Sequence, residues 1–324
     1  MTISLAELQA PIAKELEYFE KHFQSALRSK VALLDKIMLY LLKTKGKRIR
    51  PMFVFLSAGV CGPIQPATYR AAALIELLHT ATLVHDDVVD DADKRRGFFS
   101  INALWKNKIA VLIGDYLLSR GLLMALDAND FDLLKIVSEA VRQMSEGELL
   151  QLQKARTMNI EEPVYFDIIR QKTASLIASC CACGAASVTQ DTELIERMRL
   201  FGEKVGIAFQ IKDDLLDYSG VNSGKPIGID IKEKKMTLPL IYALGKSSLS
   251  ERRLIINVVK NHNQDSQKVK WLIEYVKNQG GINYAEKKMN EFVAQAMELI
   301  APFKHSVAKE TLIKLVNFTI HREN

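Results

Sequence analysis

The stretch LVHDDVVDDADKRRG at residues 83–97 sets Asp86, Asp87, Asp90 and Asp91 behind a long apolar run, then adds Asp93, Lys94, Arg95 and Arg96. On a helix, Asp86 and Asp90 share one face, one turn apart. Like charges at that spacing repel, more so when partly desolvated, so this helix end calls for a counter-charge. An oxygen-only donor set suits a hard cation such as Mg2+, which keeps several waters and bridges to substrate phosphates. A second copy, FQIKDDLLDY at 209–218, puts Asp213 and Asp217 on one face with Asp214 beside them, 127 residues further on. One DDxxD alone is more readily read as a solvated acidic helix end than as a metal site. Two copies in apolar helices, neither at a chain end, read better as a cage for several divalent ions, and so as a site for a phosphate-rich molecule.

Cations accompany the carboxylates. GKRIRP (46–51) supplies Lys47, Arg48 and Arg50 after a flexible glycine and before a proline, while Arg95 and Arg96 precede Gly97. Arginine forks pair with phosphate oxygens and stay charged when desolvated. Solvated loop charge is the plain alternative; the clustering, the flanking Gly and Pro, and the nearby aspartates favour phosphate. His79 lies seven residues before Asp86, about two turns along nearly the same face. A lone helix histidine is more often a core residue than a ligand contact, and both readings stay open on position alone.

These groups need elements to hold them. Helical periodicity dominates and strand-like alternation is scarce, with helices expected near 4–29, 31–44, 51–61, 67–92, 108–127, 130–155, 161–188, 191–219, 237–246, 250–262, 265–279, 282–301 and 307–319. Gly and Pro punctuate the breaks, and no linker or short repeat divides the chain, so one all-α domain over 1–324 is expected. Residues 71–85 are apolar almost all round, which predicts a helix buried on every side whose charged end opens into a cavity. The 324 residues carry a net charge of +6 without a basic, aromatic-interleaved stripe, so phosphorylated small molecules are favoured over nucleic acid.

The uncharged segments 51–69 and 173–190 are rich in proline or in small residues and read as buried helices, so no integral membrane segment is expected. The N-terminal stretch mixes acidic, basic and apolar residues, unlike an export signal, and a cytoplasmic location is expected. Cys61, Cys180, Cys181 and Cys183 lack a second Cys/His group at zinc spacing and read as small buried thiols.

The motifs in order, GKRIRP, HTATLVHDDVVDDADKRRG, GDYLLSRG (114–121), SEGELLQL (145–152), QKTASL (171–176), FQIKDDLLDY, GKPIGID (224–230) and KKMTLPL (234–240), resemble the trans-isoprenyl diphosphate synthases, long-chain polyprenyl branch. The resemblance covers almost the whole chain. It implies the isoprenoid synthase fold: a large helical bundle around a central apolar cavity, with two facing aspartate-rich helices. It further implies a homodimer and head-to-tail condensation of isopentenyl diphosphate onto an allylic diphosphate. Lys47, Arg50, His79 and Arg96 then resemble the isopentenyl diphosphate pocket. Asp86 and Asp90, supported by Asp87, resemble one magnesium site, and Asp213, with Asp214 and Asp217, the other, for three Mg2+ per active site. Arg95, Lys172, Thr173, Gln210, Lys225 and Lys235 resemble contacts to the allylic diphosphate. Glu148 and Gln151 line the cavity in relatives but fit a helix surface equally well. Arg48 and His85 match no family role and are left as structural.

Product length is expected to follow from Ala81 and Thr82, five and four residues before Asp86, where short-chain relatives carry bulky aromatics. Small residues there leave the tunnel open for an all-trans chain of C30 to C45 serving a quinone side chain, and Met124 is the candidate lower stop. The alternatives are a farnesyl or geranylgeranyl diphosphate synthase and a non-catalytic partner subunit. A terpene cyclase or head-to-head enzyme would need neither GKRIRP nor His79. A phosphohydrolase built on His85 and Asp86 lacks supporting histidines.

Overall fold

The computed structural model describes residues 3–43, 46–95, 97–157, 161–219 and 227–320; Arg96 and Lys225, both expected on substrate diphosphates, lie outside the described residues. The chain is all-α, as expected, apart from one two-residue strand pair. It forms two compact units: Met1–Glu139 with Ser179–Arg199 and Phe303–Leu315, and Ala140–Ala178 with Leu200–Pro302 and Val316–Asn324.

In the first unit, the Pro66–Val89 helix starts with proline in its first turn and a Gln65/Thr68 capping box. Residues 71–79 are buried without a break, followed by Ala81 and Val84, so the all-round apolar pattern does make an enclosed helix. It packs along Ile49–Cys61 and Ile101–Asp127. Its expected end at 92 falls instead at Val89, because Asp91 turns left-handed (φ 48°) and the Ala92 N–H bonds back to the Asp87 carbonyl at 2.9 Å. A hairpin absent from the periodicity follows, with Lys94 opposite Phe99 and Arg95 opposite Phe98. Ile101–Asp127 breaks at Lys106 (φ 73°), which is why helical periodicity reads cleanly only from 108.

The cysteine-bearing helix Ser175–Ala186 also reaches into this unit. A Cβ on Gly184 would sit 2.4 Å from the Val54 carbonyl oxygen, so only glycine lets that helix lie against Ile49–Cys61. Cys180, Cys181 and Cys183 are buried free thiols, and burial pushes Cys181 up to about 12.

In the second unit, Glu162–Ile169 runs into a π-helical turn, Arg170–Ala174, before α-helix resumes at Ser175. The expected uninterrupted helix over 161–188 is therefore broken where Lys172 and Thr173 sit. Two glycines make room for the wider turn. A Cβ on Gly147 would come within 2.8 Å of the Lys172 nitrogen, and one on Gly206 within 2.5 Å of the Ala174 Cα. The short helix Ile229–Lys232 had no signal in the periodicity. Leu238–Lys246, Leu249–Asn261, Ser266–Asn278 and Gly281–Ile300 complete the unit, each within about two residues of expectation.

Candidate active site

The two aspartate motifs are built alike. In the first, Asp86 and Asp90 are exposed at the helix end, whereas Asp87 is buried. Arg95 Nε, on the hairpin, donates to Asp87 Oδ1 at 2.6 Å. Arg95, expected on the allylic diphosphate, uses its Nε to hold the middle aspartate. In the second motif Asp213 is half-buried and Asp214 buried. Tyr165 Oη donates to Asp214 Oδ2 at 2.7 Å, and Gln210 Nε2 donates to Asp214 Oδ1 at 2.9 Å. Thr173 Oγ1 in turn donates to Gln210 Oε1 at 2.7 Å. Burial lifts the Asp214 carboxyl to about 7 against the pull of the Tyr165 and Gln210 hydrogen bonds.

Asp217 does a third job. Its carboxylate accepts the Ile229 N–H at 2.9 Å and the Asp230 N–H at 3.1 Å, the first donors of the short helix 229–232. Asp230 was not singled out from sequence, although it closes the GKPIGID motif. Burial lifts its carboxyl to about 6 against the nearby Lys235, whose Nζ lies 3.5 Å away. Lys235 also pairs with Glu233 at 2.5 Å. Lys172 Nζ meets Glu148 at 2.5 Å and Gln151 at 3.4 Å, so those two face the π-helical turn and not open solvent. Tyr165 was missed as well; one polar ring in EPVYFDII gives no sign of its partner on another helix.

The described isopentenyl candidates, Lys47, Arg50 and His79, all belong to the first unit. Lys47 is exposed, Arg50 half-buried at the start of Ile49–Cys61, and His79 buried on Pro66–Val89. Arg48 is the anchor that sets their register. Its backbone is left-handed (φ 56°), and its guanidinium pairs with Glu20 at 2.5 Å and Glu76 at 3.7 Å. It also lies over the Phe23 ring at 5.2 Å. Glu76 is three residues from His79, so this clamp brings GKRIRP beside the histidine's turn. His85 is likewise seated structurally: its ring occupies the space a Cβ on Gly114 would need, 2.0 Å from Nε2.

Of the length-setting candidates, Ala81 is fully buried, and Thr82 turns its hydroxyl back to the His79 carbonyl at 2.9 Å. Met124 lines a cavity of about 260 Å³ with Leu77, Ala26, Arg120, Asp127 and Ala128.

Among the described residues no three His, Cys, Asp or Glu side chains are drawn into a ready-made metal cage. The donor set still fits Mg2+, which binds through one or two carboxylates while water and phosphate supply the other ligands. Asp86 and Asp90 of the first motif and Asp213 of the second are the carboxylates that would take Mg2+.

An all-α chain that bears two such carboxylate motifs, with cations alongside, defines a prenyltransferase of the trans-isoprenyl diphosphate synthase class. Residues 31–276 match the polyprenyl synthetase family. The all-trans-nonaprenyl-diphosphate synthase (geranyl-diphosphate specific) of Rhodobacter capsulatus is 35% identical over 98% of this chain and 97% of its own. The crystal structure of a decaprenyl diphosphate synthase from the same organism superposes with TM-score 0.92 at 30% identity, covering 99% of this chain and 100% of that one. A geranylgeranyl pyrophosphate synthase from Bacteroides thetaiotaomicron is similar too, with TM-score 0.83 and 38% identity over 98% of this chain and 99% of that one. The chain belongs to the polyprenyl synthetase family.

Proposed function

We propose that residues 1–324 act as one catalytic domain, a long-chain all-trans polyprenyl diphosphate synthase. It adds isopentenyl diphosphate head to tail onto an allylic diphosphate such as farnesyl diphosphate, to C30–C45, for a quinone side chain. The observation that carries this reading is the shared design of the two motifs. In each, the middle aspartate is buried and anchored, while Asp86 and Asp90 in one are exposed and Asp213 in the other is half-buried. Each acidic helix end would hold Mg2+ that bridges to substrate diphosphate, with three Mg2+ bound in all.

Bound there, Mg2+ would neutralise charge that builds on the departing diphosphate. Lys172 and Lys235, with Lys225 and Arg95, hold its remaining oxygens and favour ionisation of the allylic C–O bond. Lys47, Arg50, His79 and Arg96 orient isopentenyl diphosphate so that its double bond attacks the allylic carbon. The proton then lost passes to the bound diphosphate, and no protein base is required. The enclosed apolar helix behind Asp86 keeps water from the cation.

The enzyme works as a cytoplasmic homodimer. Ile101–Asp127 is long and apolar enough to cross a membrane, but Leu104, Leu112, Leu123 and Leu126 stand exposed along it and suit a subunit interface. A second reading, a C20 product, is favoured by the likeness to the geranylgeranyl pyrophosphate synthase; the small Ala81 and Thr82 favour the longer chain.

One assay separates them. Purified protein is given isopentenyl diphosphate, farnesyl diphosphate and Mg2+, and the extracted products are sized by mass spectrometry. A ladder ending between C30 and C45 is expected. Termination at C20 selects the second reading, and no turnover without an added protein selects a partner subunit.

A further inference from the structure

We propose that Tyr165 is a positioning residue for prenyl transfer, acting through Asp214 and Gln210 to fix the Thr173 hydroxyl. The proposal rests on reading Thr173 as part of the allylic diphosphate site. Three hydrogen bonds of 2.7, 2.9 and 2.7 Å form the relay from Tyr165 Oη to Asp214, from Gln210 to Asp214, and from Thr173 to Gln210. Its path is a closed loop. It leaves the 162–186 segment at Tyr165, crosses to Thr192–Ser219 at Asp214, runs back one helical turn to Gln210, and returns to the first segment at Thr173.

The segment between the two crossings contains the π-helical turn Arg170–Ala174, where the regular ladder is broken and the backbone alone defines side-chain direction less well. A threonine hydroxyl on such a turn needs an outside reference. Gln210 supplies it, and Gln210 is itself fixed by a buried carboxylate whose second oxygen is held by Tyr165. Tyr165 and Asp214 are 4% and 5% exposed, so a lost partner leaves a buried polar group whose desolvation is costly. Without the tyrosine hydroxyl, Asp214 Oδ2 loses its donor. The carboxylate is then free to rotate and to take Gln210 away from Thr173. Close packing of Gly147 and Gly206 around the turn fixes the backbone, and the relay fixes the side chain.

The test is a double-mutant cycle in steady-state kinetics with Tyr165→Phe, Thr173→Val and the pair. Phe keeps the ring and its edge contact with Phe166 at 5.4 Å. Tyr165→Phe is expected to lower kcat about tenfold, the scale of one charge-assisted hydrogen bond. KM for isopentenyl diphosphate stays unchanged, since its candidate residues lie in the other unit. On the Thr173→Val background the same change should cost less than about twofold, because the group it positions is already gone. Gln210→Leu, which cuts the relay in the middle and leaves Tyr165 in place, should behave like Tyr165→Phe. Losses that multiply in the double variant, or an unchanged kcat in Tyr165→Phe, overturn the relay while leaving the proposed function intact. A wild-type protein that condenses nothing overturns both.

Discussion

Arg95 Nε stands 2.6 Å from Asp87 Oδ1, which joins the hairpin after the first aspartate motif to the buried middle residue of that motif. Tyr165 does the same for Asp214 in the second motif, with an uncharged donor. In DDxxD the second aspartate is thus the peg that holds the helix end, and the first is exposed in one copy and half-buried in the other. The fifth position differs between the copies: Asp90 is exposed, while Asp217 caps the helix Ile229–Lys232.

That division of labour predicts separable losses. Asp86→Ala and Asp213→Ala should each reduce kcat by about two to three orders of magnitude, with a smaller fall in melting temperature than Asp87→Ala, because they remove carboxylates proposed to hold Mg2+ and not a buried residue. Asp87→Ala should lower stability by about 2–4 kcal/mol, since it strands the half-buried Arg95 guanidinium. Thermal melts and initial rates on the three variants are sufficient. Full activity in Asp86→Ala or Asp213→Ala would remove the basis for a metal site at that motif.

The two glycines flanking the π-helical turn predict a purely steric effect. Gly206→Ala places a methyl 2.5 Å from the Ala174 Cα, against backbone that cannot swing aside as a side chain can. Overpacking of this kind costs about 1–3 kcal/mol. It should also part Thr173 from Gln210, so kcat falls in a protein that still folds. Gly245→Ala, with open space at its Cβ, is the control and should leave both quantities as they are. If the two substitutions prove equivalent in rate and melting temperature, the tight packing around the turn has no bearing on catalysis.

Much of this could be read from the chain because it is written in local pattern. Apolar residues from Ala71 to Leu78, interrupted by Glu76 alone, specify an enclosed helix whatever surrounds it, and the spacing of Asp86 and Asp90 specifies a shared face. The rest depends on distance in space. Nothing adjacent to Tyr165 announces Asp214, 49 residues away, and nothing in QKTASL announces a π-helical turn, which arises where two glycine-bearing helices admit it. Asp217 is the clearest case: the 3.6-residue period places it beside Asp213, yet its carboxylate goes to backbone donors 12 and 13 residues later. The hairpin at 94–99 escaped for a different reason, since two-residue strands are too short to show alternation.

Stability should depend on pH through Asp214. Its folded-state carboxyl is raised from the ordinary 3.8 to about 7 by burial, so folding takes up a proton between those values. The sign follows: this contribution is fully present below about pH 4, is lost as pH rises through about 7, and is constant above that. Asp214→Asn cannot ionise, so the melting temperature of the variant minus that of the wild type, in EDTA, should climb from pH 4 to 7 and then level off. Asp230, raised to about 6, is present in both proteins, and its charge contributes to the rise at Asp214, so the climb carries that coupling as well. A difference that is flat across the window shows that Asp214 is ionised throughout.

The length of the product is the property on which the readings differ most, and it falls to Ala81. The residue is fully buried, about one turn and a half before Asp86, with Leu77 one further turn along and Met124 beside Leu77 at the cavity of about 260 Å³. If the growing tail passes Ala81, a phenylalanine there puts a ring across the path. Ala81→Phe should then yield products several isoprene units shorter, at a folding cost of about 1–3 kcal/mol for the added bulk. Met124→Ala should act in the opposite sense, adding at least one unit by opening the cavity beside Leu77. Both are read by mass spectrometry of the extracted diphosphates after dephosphorylation, with circular dichroism to confirm that the variants are folded. A folded Ala81→Phe enzyme with the wild-type product would mean that the hydrocarbon leaves by another route, and that neither Ala81 nor the cavity beyond Leu77 measures its length.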